Sequence, residues 1–170
     1  MSLVTTSEIV EMIISDLIFA LTTLVNVPSI AKGQVPPTIS AQLEIVDKVS
    51  NQIAQEVIDL RSHVRTKIDL DSPDKAAEQL RQLALGWKRY EPPLIDAVRK
   101  VQTSGTRTGD PKMDATLALL PNGLKRLQNV LRSLESIQVK HLTPHEQTWE
   151  GPPNPDYNYK LPLKDLDSDE

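Results

Sequence analysis

His141, His145 and Glu146 form a short cluster whose side-chain types suit a metal ion. Two histidines four residues apart share one face of a helix, and a carboxylate nearby would be a third ligand. Pro144 lies between the two rings, where the helical pattern is running out. The pair therefore reads as a solvated helix end, and no metal is expected. His63 follows Asp59 by four residues, the spacing of a surface pair on a helix. Gly105–Thr106–Arg107–Thr108–Gly109 brackets a cation with glycines, but it lacks the Gly-Lys-Ser/Thr ending that holds nucleotide and magnesium. It reads as a connection between helices. No local run sets a nucleophile beside a base. The sequence thus assigns no catalytic residue and no cofactor, and the protein expected is not an enzyme.

Asn154–Pro155–Asp156–Tyr157 is a more specific short match. Proline fixes one torsion of a tight turn, the asparagine side chain bonds the backbone, and the tyrosine is left projecting. The tetrad resembles the ligands of phosphotyrosine-binding-type adaptor domains. With Trp149 it makes a candidate linear motif in a proline-rich, acidic tail expected over 141–170, extended or disordered. That tail holds seven acids and two bases, a net of −5, so residues 1–140 carry +1 of the total −4. So small a basic excess does not suit phosphate binding, and no nucleic-acid partner is expected.

The elements that would position any site are helices. An apolar seam with alternating steps of three and four runs through Leu43, Val46, Ser50, Ile53, Val57, Leu60 and Val64. A second runs from Ala76 through Leu80, Leu83, Trp87, Tyr90, Leu94 and Ala97 to Val101, and a third from Met113 to Leu134. Ile9 to Val27 supplies one more helix, apolar on several sides, expected as the central helix or as part of an interface with another chain. Glu11 and Asp16 inside it argue against a membrane span, and the absence of Lys and Arg from 1–31 argues against a secretion signal. There is no cysteine to form a disulfide or thiolate site. The expectation is a cytoplasmic, all-α protein: an antiparallel four-helix bundle over 1–140 with coiled-coil-like seams. Thr5 with Glu8 predicts the first cap, and Ser72–Pro73 and Asp110–Pro111 predict two more. Because the apolar phase crosses Pro92–Pro93 and Pro121 without a slip, helices 3 and 4 are expected to be kinked by proline rather than broken.

Predicted lengths suggest a place for a partner. The first helix, Thr6 to Asn26, is about 16 Å shorter than the second, Thr38 to Asp69, at about 1.5 Å per residue. That leaves an apolar groove lined by Leu60, Val64, Leu80, Leu134 and Ile137. Three outcomes stay open: the tail covers it with Trp149, a helix of a second protein fills it, or Leu3 and Val4 extend the first helix and close it. The functional expectation is an interaction protein, an assembly subunit or adaptor with a protein partner, and a homo-oligomer is compatible with the seams. The alternative is a carrier of a small apolar ligand or lipid, held near Ser50, Ala54, Trp87 and Tyr90 at the bend.

Overall fold

A computed structural model describes residues 3–31, 33–103 and 108–146. The chain is mostly helical, with its helices packed on one another. Helix α1 spans Thr6–Ala31 and α2 spans Pro37–Ser62, 26 residues each. After a turn at His63 come α3 (Val64–Lys67), α4 (Pro73–Lys88) and α5 (Glu91–Thr103). Then follow α6 (Pro111–Leu117), α7 (Leu120–Glu135) and α8 (Val139–Leu142). Two short strands, β1 (Leu3–Val4) and β2 (His145–Glu146), pair antiparallel with Val4 opposite His145.

Local chemistry explains the boundaries. Thr5 Oγ1 accepts from the Glu8 N–H at 3.2 Å and its hydroxyl donates to the Glu8 carboxylate, starting α1. Ser72 Oγ accepts from the Lys75 N–H and Asp110 Oδ1 from the Lys112 N–H, each with a proline next in line. Helix α1 continues past the expected Asn26 because Val27, Pro28 and Ala31 are buried, and tertiary burial outweighs the proline's missing donor.

The helices that carry the second and third seams break where kinks were expected. Two-residue turns at Arg89–Tyr90 and Ala118–Leu119 separate α4 from α5 and α6 from α7. Pro92, Pro93 and Pro121 stand in the first turns of α5 and α7, where their missing N–H has no helical acceptor to lose. Each turn is closed by a tight backbone bond, Tyr90 N–H to Trp87 at 3.0 Å and Leu119 N–H to Thr116 at 3.1 Å. The apolar phase survives because Trp87 and Leu94, and Leu117 and Leu120, still point into the core.

Helix α1 packs on α2, α6, α7 and α8; α2 also packs on α5, and α4 on α7 and α8. Ile9, Val10, Ile13, Leu17 and Leu24 of α1 are fully buried among them, so this helix is the central one. Glu11 faces out and Asp16 faces in. Among the described residues no helix is long and apolar enough to cross a membrane.

Candidate functional site

The expected length mismatch is absent, since α2 stops at Ser62 and α1 reaches Ala31. Leu60, Leu80, Leu134 and Ile137 are all at most 1% exposed, and Val64 is half-buried. These residues belong to the chain's own core and do not line an open groove. The closure comes from chain segments that helical period did not reveal. Beyond His63 the backbone turns and drives Ile68 inward. At the other side, α8 lies against α4 and α1, with Leu142 fully buried. Leu3 and Val4 do arrive at this end, as a strand paired with β2 and not as more helix.

Side-chain bonds hold the closure together. The Thr6 hydroxyl donates to the Leu142 carbonyl at 2.6 Å, tying the start of α1 to the end of α8. Arg81 Nη1 donates to the Ile137 carbonyl at 2.7 Å, while Nη2 holds Glu78. His141 is 2% exposed, and its Nδ1 accepts from the Gln138 N–H at 2.9 Å. The solvated helix end expected at His141 is therefore a buried capping group, because its ring closes the first turn of α8. The fold also runs past the expected boundary at residue 140, which falls inside α8. Trp149, Asn154, Pro155 and Tyr157 lie outside the described residues.

The other candidates are dispersed. His63 and Lys67 share the Asp59 carboxylate on the surface, and Lys67 is the larger cause that holds Asp59 below the usual carboxylate range. Of the four residues named for an apolar ligand, Ser50 is inside and Trp87 is 3% exposed. Tyr90 is half-buried at the α4–α5 turn, with the Arg89 guanidinium 4.9 Å from its ring centre. Ala54, one turn past Ser50 on α2, lines a depression of about 190 Å³ with Ile18, Thr22, Val25 and Ile58, between α1 and α2. A second hollow of about 130 Å³ continues the same seam toward the α1–α2 loop, past Ser29, Ser40, Glu44 and Asp47.

That outer seam is the surface feature on which a partner could act. Helix α1 has no charged residue from Leu17 to Ala31, so its exposed positions there are Thr22, Asn26, Ser29 and Ile30. Ile58 is 40% exposed beside them. A further hollow at the α3–α4 corner, about 460 Å³, mixes Arg65 with Asp69 and Asp71 and presents no single charge. The apolar spread of α1 pointed to its half of this seam in the sequence, but Ala54 and Ile58 were missed as its other wall, because the apolar period of α2 marks only the core side. No family model, curated protein or solved structure matches this chain.

Proposed function

We propose that this chain is a non-enzymatic helical interaction protein, an assembly subunit or adaptor. The observation that supports this reading is the uncharged outer face of α1, which with Ile58 and Ala54 makes a shallow apolar trough. A solvated helix face ordinarily carries charge, and an uncharged one with half-exposed Ile18 and Val25 suits burial against protein. We read α1, α2, α4–α5 and α6–α7 as four antiparallel rods presenting that face. The Asn154–Pro155–Asp156–Tyr157 tetrad, with Trp149, would add a linear motif. A pull-down with the full chain tests the reading. Specific retention of a protein that Ile58→Glu or Tyr157→Ala abolishes is expected. Retention of nothing specific by the unaltered chain refutes it.

A carrier of a small apolar ligand is the second reading, favoured by one observation. Ser50 Oγ is buried in the core without a hydrogen-bond partner among the described residues, a polar group that a ligand would satisfy. The depression at Ala54 is smaller than the roughly 300–1,000 Å³ usual for ligand sites, which ranks this reading lower. Native mass spectrometry decides it: bound lipid supports it and a bare 19.0 kDa mass counts against it.

A further inference from the structure

The outer face of α2 carries a second heptad, displaced from the core seam: Asp47, Asn51, Ala54, Ile58 and Arg61. Steps of four, three, four and three keep all five within one arc of the helix. Ile58 and Arg61 are exposed and the others half-buried. Beside them run Ile18, Thr22 and Val25 of α1, without charge.

Charge is distributed along this face in one sense. Glu44 and Asp47 stand at one end and Arg61 at the other, with Ala54 seven residues from both Asp47 and Arg61. Among the described residues Glu44, Asp47 and Arg61 have no ion-pair partner. One Asp47 oxygen accepts from Asn51 Nδ2 at 2.8 Å, which leaves the carboxylate's charge unopposed.

We propose that this face is self-complementary and that its occupant is a second copy of the chain. A two-fold axis crossing the helices at Ala54 and Thr22 sets α2 antiparallel on α2 of the second copy. Asp47 and Glu44 of each copy then meet Arg61 of the other, and this happens twice. The small side chains Ala54 and Thr22 fall on the axis, where the helices approach closest. Ile18 of each copy loses water against Val25 of the other, and Ile58 packs over Asn51 of the other. The inference deepens the assembly reading and rests on it, by naming the partner.

Other occupants fit less well. Residues 147–170 carry six acids and two bases, so the tail would bring like charge to Glu44 and Asp47. A foreign helix would need a base to meet that end and an acid to meet Arg61, which a second copy supplies without further assumption. The contact is small. Two helices about 20 Å across over about 26 Å bury about 1,000 Å² in total, the lower edge of specific interfaces. An interface of that size suits a weak, concentration-dependent dimer, and a dissociation constant on the order of micromolar is expected.

Sedimentation velocity of the full chain at about 5 and about 200 µM brackets such a constant. The expected mass moves from 19.0 kDa toward twice that value. Arg61→Glu should weaken the dimer by about tenfold or more, and the swap Asp47→Arg with Arg61→Asp should restore it, which a merely misfolded variant would not do. The chain has no cysteine, so Ala54→Cys introduces a single thiol. Mild oxidation should cross-link that variant as a dimer, whereas Leu85→Cys, exposed on α4, should stay monomeric. A monomer at the upper concentration overturns the proposal, as does a dimer indifferent to Arg61→Glu. If the monomeric chain still retains a partner that Ile58→Glu abolishes, a foreign occupant holds the face: the dimer falls and the assembly reading survives.

Discussion

Gly123 of α7 faces Thr23 of α1 so closely that a Cβ on the glycine would lie 3.0 Å from both Thr23 Cβ and Cγ2. The glycine is in ordinary helical geometry, so conformational freedom does not explain it. Its role is to let α7 approach the central helix.

Two effects oppose each other in Gly123→Ala. Alanine favours the helix by about 1 kcal/mol, while overpacking a buried contact costs about 1–3 kcal/mol. Net destabilisation of about 1 kcal/mol is expected by urea denaturation. Adding Thr23→Ala removes the Cγ2 contact and leaves the Cβ one, so the double variant should recover part of the stability that Gly123→Ala loses. Independent, additive effects would show that the two positions do not touch.

The bond from Thr6 to the Leu142 carbonyl is a contact between residues 136 apart. Thr6→Val keeps the shape and leaves a buried carbonyl unsatisfied, at about 1–3 kcal/mol. Hydrogen exchange should show faster opening at α8 and at the start of α1 than at α2. Uniform change across all helices would mean that the clasp does not open locally.

Arg81 is anchored on the Ile137 carbonyl and on Glu78. Arg81→Met retains the apolar stem and removes both bonds. A loss of about 1.5–3 kcal/mol is expected, since a hydrogen bond from a charged donor contributes about that much. Glu78→Gln alone should cost less, because the Glu78 pair lies in solvent.

Asp59 and Glu91 should give stability profiles of opposite sign. Lys67 holds the Asp59 carboxyl below its ordinary 3.8, with His63 adding to the effect. The folded state therefore binds fewer protons there, and its contribution is present above about pH 4 and lost as pH falls through the depressed value. Burial raises the Glu91 carboxyl above its ordinary 4.5, so its ionisation opposes folding as pH rises through the raised value. In denaturation midpoints measured from pH 3 to 7, Asp59→Asn should be less stable than the unaltered chain at pH 7 and converge with it at low pH. Glu91→Gln should be more stable at pH 7 and converge likewise. A Glu91→Gln gap that persists at pH 3, or an Asp59→Asn gap that does not narrow as pH falls toward 3, would mean that charge is not its cause.

Much of the helical core was legible in the sequence because a helix repeats every 3.6 residues. Leu43, Val46, Ile53, Val57 and Leu60 recur on that period and are buried. The same reading placed Ser72–Pro73 and Asp110–Pro111 at helix starts, since a cap and a proline act over three residues. Proline-flanked turns were less legible. Pro92 and Pro121 suit both a kinked helix and a fresh start, and their neighbours' packing chose the start.

Local pattern determined which stretches are helical, where several begin and which stripe is apolar, because those depend on neighbours within a turn or two. Tertiary structure alone decided that α2 ends at Ser62, that His141 is buried, and that Leu3–Val4 pairs with residues near 145. Each depends on contacts between groups far apart in the chain, whose free energy no local period records. The outer stripe from Asp47 to Arg61 was written in the residues all along, yet only the burial of the opposite side of α2 made it an outer face.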